Sequence, residues 1–220
     1  MTSAPFAAED VRGYLHKAGG VDGMALTHGA GGNCKAPLLL AVADAFQAAG
    51  VTVLRCDLPF RQQRPSGPPR PADAAKDRAG LRAAVAAMRE LVTGRMVLAG
   101  LSYGSRQASM LAAEEPQLVE ALILLSYPLH PPGKLAQMRT GHFPELRSRA
   151  LFVHGSKDPF GSIGEMESAL RIITAPHELI VIEGAGHDLR RGRFDLNLLT
   201  GRLSRLLAQS SSFEMRDLPG

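Results

Sequence analysis

Apolar and polar positions alternate between two regimes along the chain. Short apolar-rich runs of strand length occupy Val11 to Lys17, Met24 to Thr27, Val51 to Asp57, Met96 to Gly100, Ala121 to Ser126, Ala150 to His154 and Glu178 to Ile182. Between them lie segments with helical spacing: Pro37 to Ala49, Ala72 to Val92, Ser102 to Glu114, Ile163 to Ile173 and Phe194 to Ala208. Strand followed by helix, repeated in this way, predicts an α/β fold with a mostly parallel, twisted sheet of about seven strands and helices on both faces. Unbroken runs such as Leu122-Ile123-Leu124-Leu125 suit strands covered on both sides, whereas the alternation Val11, Gly13, Leu15 suits an edge strand, so the first strand is expected at the edge.

In such a sheet the functional loops gather at the carboxyl ends of the strands. One long irregular segment, the Pro-rich stretch from Asp57 to Pro71, is expected to run as a surface loop closing one side of a site. The 220 residues are enough for one sizeable core and too few for two α/β domains, so a single domain over 1–220 is expected. No internal repeat is visible.

Composition narrows the class. With 45% apolar and 21% charged residues, the chain fits a globular protein rather than a disordered or coiled-coil one. No apolar run approaches the ~18 residues needed to cross a bilayer. Residues Met1 to Asp10 carry no Lys or Arg and no long apolar stretch, which argues against a secretory signal and makes the cytoplasm the expected location, with no membrane partner. Cys34 and Cys56 lack zinc-site or CxxC spacing and read as reduced thiols. The net charge of +4 comes from 25 basic residues scattered among 21 acidic ones, without the basic stripe that nucleic-acid binding calls for.

The chemistry concentrates at strand ends. Met96 to Gly100 runs into Gly100-Leu101-Ser102-Tyr103-Gly104 and then a helix, the strand–turn–helix context in which a Gly-x-Ser-x-Gly turn exposes a serine nucleophile. A serine hydroxyl is a poor nucleophile at neutral pH and needs a base, which in turn needs an acid to fix its tautomer. Asp158 lies in Gly155-Ser156-Lys157-Asp158-Pro159 after one strand, and His187 in Glu183-Gly184-Ala185-Gly186-His187-Asp188 after the next. Singly, Asp158 before Pro159 also suits a turn, and His187 beside Asp188 a helix cap. Together, Ser102, Asp158 and His187 stand at the ends of successive strands in the order nucleophile, acid, base, and are the expected catalytic residues. Asp188, the neighbour of His187, is badly placed to orient that ring and is expected to cap or support.

A tetrahedral intermediate needs preset donors for its oxyanion. The amide of Tyr103 follows the nucleophile, and the loop His28-Gly29-Ala30-Gly31-Gly32 follows the Met24 to Thr27 strand; Tyr103 and Ala30 are the expected oxyanion-hole donors, with His28 holding the loop. The loop lacks the Lys-Ser/Thr ending of a P-loop and the GxGxxG of a dinucleotide fold.

The set HGAGG, GLSYG, HGSKDP and GAGHD resembles the α/β-hydrolase superfamily, and within it the small lidless dienelactone-hydrolase-like group, over about Val11 to Leu207. The stretches from Ser126 to Pro131 and from Gly100 to Arg106 resemble more narrowly a branch that includes a testis-expressed protein and a relative of a chromatin-complex subunit. The resemblance implies an α/β-hydrolase fold and hydrolase ancestry. Dienelactone hydrolases carry a cysteine nucleophile where this chain has Ser102, so their own reaction does not carry over.

The interval from Ser126 to Ala150 is short, so no large lid domain is expected and the site should be open. The expected function is hydrolysis of a small carboxylic ester or thioester through an acyl-enzyme on Ser102, acting on a small-molecule acyl substrate without metal or organic cofactor. The alternative is a catalytically silent scaffold or binding protein on the same fold. Arg61 and Arg64, with Arg70 and with Arg190, Arg191 and Arg193, are placed where they either line the mouth and attract an acidic substrate or are plain surface arginines. Tyr103, Phe60, Tyr127 and Leu129 are candidate pocket walls or core.

Overall fold

A computed structural model describes residues 2–208 of the chain. Eight strands form one sheet: β1 (Ala4–Ala8), β2 (Val11–His16), β3 (Gly23–Thr27), β4 (Thr52–Cys56), β5 (Met96–Leu101), β6 (Ala121–Leu125), β7 (Arg149–Gly155) and β8 (His177–Ile182). Their order across the sheet is β1-β2-β4-β3-β5-β6-β7-β8. Pairings β1–β2 and β2–β4 are antiparallel, and all others are parallel. The expected edge strand therefore moves one place inward. β1 takes the edge as the first half of a hairpin whose turn is Glu9-Asp10, with Ala8 opposite Val11. Its sequence, Ala-Pro-Phe-Ala-Ala, is mostly exposed and weak in β-formers, and its turn lacks the Asn-Gly type of signal, which is why periodicity alone does not reveal it.

The apolar runs split by parity into two cores. Met96 and Leu98, Leu122 and Leu124, and Ala150 and Phe152 face one side; Val97 and Ala99, Ile123 and Leu125, and Leu151 and Val153 face the other. Helices α3 (Ala74–Arg89), α4 (Tyr103–Glu114) and α5 (Ile163–Leu170) cover the first side. Helices α1 (Pro37–Ala48) and α6 (Leu196–Ala208) cover the second. Each presents an apolar stripe at helical spacing, such as Leu39, Val42, Ala43 and Phe46 on α1, which starts with Pro37 where a missing N–H costs nothing. Full burial of a side chain such as Phe46 or Leu39 contributes about 2 kcal/mol.

The Pro-rich segment is more ordered than expected. It folds a short helix, α2 (Pro59–Gln63), and a 3₁₀ turn over Pro71–Asp73 before entering α3. Between β6 and β7 the chain forms only a 3₁₀ turn, Phe143–Glu145, so no lid domain is inserted among the described residues. No helix among them is long and apolar enough to cross a membrane. Cys34 and Cys56 are free and buried, and burial pushes both thiols up to about 12.

Candidate active site

Ser102 sits between β5 and α4 with φ 52° and ψ −112°, a conformation that side chains other than glycine's rarely adopt. The turn is pinned on both sides. The Ser102 amide donates to the Leu125 carbonyl at the end of β6 (2.8 Å), and the Ser102 carbonyl accepts from the Arg106 amide (3.1 Å) and the Ser105 hydroxyl (2.6 Å). The flanking glycines are required by close approach rather than by flexibility. A Cβ on Gly100 would lie 2.4 Å from the Gly104 carbonyl carbon, and one on Gly104 would lie 2.5 Å from the His28 carbonyl oxygen. The second contact shows that the serine turn and the HGAGG loop are packed backbone to backbone.

Asp158 and His187 come from loops that are stitched together. The amides of Ser156 and Lys157 donate to the carbonyls of Ile182 (3.1 Å) and Ala185 (2.9 Å), and the Gly184 amide donates to the Ser156 hydroxyl (2.8 Å). A Cβ on Gly155 would lie 2.4 Å from the Ala185 carbonyl oxygen, so this contact also needs glycine. Across the seam, His187 Nδ1–H donates to Asp158 Oδ2 at 2.7 Å. That bond leaves Nε2 with its lone pair, and the Ser102 hydroxyl donates to it at 2.7 Å. The carboxylate is sealed from solvent while the imidazole stays partly open. Residues 85 positions apart thus meet in an unbroken chain of hydrogen bonds able to move the serine proton.

Two supports were not visible in the sequence. Phe160 donates its amide to Asp158 Oδ1 (2.8 Å) and stacks its ring on His187 with centroids 4.1 Å apart. His154, fully buried, donates from Nε2 to the Gly161 carbonyl (2.8 Å), and burial lowers its pKa, which favours the neutral ring near Asp158. Asp188 is exposed and accepts from the Arg190 amide (3.1 Å), a local turn contact away from the His187 ring nitrogens.

The HGAGG loop is held as expected, with one unexpected anchor. His28 is buried; its Nδ1–H donates to the Gly29 carbonyl (2.8 Å) and its Nε2 accepts from the Leu58 amide (3.1 Å). Burial lowers its pKa, consistent with a neutral ring in that tautomer. A Cβ on Gly29 would touch Ser102 Cβ at 3.3 Å, which places the HGAGG loop beside the serine, and Ala30 lines the same cavity as Ser102 and Tyr103.

Arg61 and Arg64 are placed differently from the expectation that they bind substrate. Arg61 is 7% exposed and spends its guanidinium on backbone carbonyls: Nε on Gly32 (2.8 Å), Nη2 on Ala30 (2.9 Å) and Gly67 (3.0 Å), and Nη1 on Arg64 (3.2 Å). It ties the HGAGG loop to the Pro-rich segment. Arg64 pairs with Asp73. The reason is α2, which turns these side chains back under the loop; position after a strand end does not reveal that turn.

A cavity of about 590 Å³ opens over Ser102. Ala30, Tyr103 and Phe160 line it, the segment 68–71 closes one side, and its cations are Arg70, Arg106 and Arg139. Arg190, Arg191 and Arg193 are exposed and lie outside it. Tyr103 donates its hydroxyl to the buried Asp77 (2.7 Å), whose other oxygen accepts from the Phe60 amide (3.0 Å); burial raises both pKa values. Phe60, Tyr127 and Leu129 are fully buried and belong to the core.

Known structures share this arrangement of elements. A dienelactone hydrolase from Anabaena variabilis is 22% identical and superposes with a TM-score of 0.69 over 93% of this chain and 95% of that one. Est1E from Butyrivibrio proteoclasticus is 17% identical, with a TM-score of 0.68 over 94% and 98% of the two chains. The alpha/beta hydrolase GrgF from Penicillium is 17% identical, with a TM-score of 0.72 over 94% and 97%. At these identities the likeness establishes the fold. A family model described as an alpha/beta hydrolase domain matches residues 22–214, and the chain belongs to that family.

Proposed function

We propose that the chain is a serine hydrolase that cleaves a small carboxylic ester or thioester through an acyl-enzyme on Ser102. The observation that carries this reading is the pair of 2.7 Å hydrogen bonds joining Ser102 Oγ, His187 and Asp158. His187 Nε2 takes the hydroxyl proton as Oγ attacks the substrate carbonyl carbon, and Asp158 stabilises the imidazolium that results. The amides of Tyr103 and Ala30 receive the negative charge on the carbonyl oxygen. Collapse of the tetrahedral species breaks the bond to the leaving group, which departs with the proton from His187. Water then gives a proton to the same nitrogen while its oxygen attacks the acyl carbon. A second collapse releases the carboxylic acid and returns the proton to Ser102.

Fluorophosphonate labelling tests the reading, because the probe phosphonylates only an activated serine. The wild type is expected to label and Ser102→Ala is not. Failure of the folded wild type to label would overturn the proposal and favour a silent scaffold.

A further inference from the structure

The cavity over Ser102 is lopsided in charge. Three arginines and no acidic residue line it. Several arginines outside the cavity are matched by carboxylates: Arg78 with Glu114, Arg82 with Glu115 and Arg95 with Asp22 form ion pairs. Neither Arg106 nor Arg139 has an ion-pair partner among the described residues, and both are half-buried. The Nε of Arg106 is sealed from solvent without a hydrogen-bond acceptor. A buried guanidinium donor without an acceptor is costly, and two like charges in one half-buried place raise that cost.

The placement is built rather than incidental. Arg106 lies one turn into α4 and its amide closes the first helical bond onto the Ser102 carbonyl, so its backbone is fixed relative to the nucleophile. Arg139 is pinned at both backbone groups. Its amide donates to the Leu129 carbonyl (2.7 Å), and its own carbonyl accepts from the buried Tyr127 hydroxyl (2.6 Å). Its guanidinium makes one long contact, Nη1 to the Pro128 carbonyl at 3.5 Å. Burial and the neighbouring Arg106 charge lower the Arg139 pKa, and they push the nearby His142 down to about 4, so that ring adds no further charge. The exposed Arg70 adds a third cation at the rim.

We infer that Arg106 and Arg139 form a carboxylate subsite, and that the substrate is an ester or thioester bearing a carboxylate besides the bond that is cleaved. This rests on the serine hydrolase reading above. Each planar guanidinium matches a carboxylate with two parallel donors, and the apolar walls from Ala30, Pro68, Pro69, Pro71 and Phe160 accommodate the carbon chain between the charge and the reacting carbonyl.

The test compares phenyl hemiadipate with phenyl hexanoate, which places the charge on the acyl side, and 4-acetoxybenzoate with phenyl acetate, which places it on the leaving group. The wild type is expected to favour one anionic ester over its neutral partner by tenfold or more in kcat/KM. That ratio is expected to collapse to within about twofold in Arg139→Gln and in Arg106→Gln. Equal or faster turnover of both neutral esters by the wild type overturns the subsite and leaves the hydrolase reading standing. A readout independent of turnover separates the two claims. Adipate, and not adipamide, is expected to raise the melting temperature of the wild type by about 3 °C at tenfold excess over its Kd, with the shift lost in Arg139→Gln. An equal shift in the variant, or none in the wild type, overturns the subsite even if no ester is cleaved.

Discussion

The two walls of the site around Ser102 differ in how their polar groups are satisfied. On the Asp158–His187 wall, each carboxylate oxygen has a donor, each ring nitrogen of His187 has a partner, and the loops beneath are bonded amide to carbonyl. On the arginine wall, the backbone is pinned while the guanidinium of Arg106 and that of Arg139 lack counter-charges. The proposed proton relay calls for geometry fixed before the substrate arrives, which the hydrogen bonds joining Ser102, His187 and Asp158 supply. The proposed carboxylate subsite would instead spend its guanidinium donors on the substrate.

The sharpest way to break the contrast is to spoil the completed wall without changing its shape. Asp158→Asn keeps the volume and the Phe160 contact but favours the wrong tautomer of His187, and is expected to lower kcat by about 10⁴-fold with KM nearly unchanged, measured by steady-state ester hydrolysis. Next comes the joint between the serine turn and the HGAGG loop. Gly104→Ala places a Cβ 2.5 Å from the His28 carbonyl oxygen, and is expected to displace that loop. The expected costs are about 10²-fold in kcat and on the order of 2 kcal/mol in stability, read by kinetics and urea unfolding. Arg61→Ala strips the carbonyls of Ala30, Gly32 and Gly67 of a common donor. It is expected to lower kcat about tenfold while leaving the preference between anionic and neutral esters in place, since its charge lies outside the cavity.

The smallest effect concerns pH. Burial lowers the pKa of His16, His28, His142 and His154 from the ordinary imidazole value of 6.5, to about 4 for His142. The unfolded chain therefore binds protons below pH 6.5 that the folded chain refuses, so stability is lost as the pH falls from about 6.5 towards 4. The urea midpoint is expected to drop between pH 7 and pH 5, and to drop less in His142→Gln.

Much of this was legible in the chain itself. The strand ends carrying Ser102, Asp158 and His187 stood out because parallel strands buried on both faces read as apolar runs, and the residues just after them must lie on one edge of the sheet. β1 was not legible, since an exposed alanine-rich strand leaves no periodic signal. Nor were the roles of the arginines: Arg61, expected at the mouth or on the plain surface, is a loop anchor, while Arg106 and Arg139 line the cavity. Phe160 stands two positions after the expected acid, yet nothing in its neighbours shows that its ring stacks on a histidine from another loop.

By itself, the order of apolar runs, glycines and reactive residues determined the α/β architecture, because periodicity and close-approach glycines act over a few neighbouring positions. Only the tertiary structure decided which charges are spent inside the protein and which remain facing the cavity. A guanidinium sits at the end of a long flexible side chain, and whether it meets a carbonyl, a carboxylate or an open space depends on segments far away in the chain.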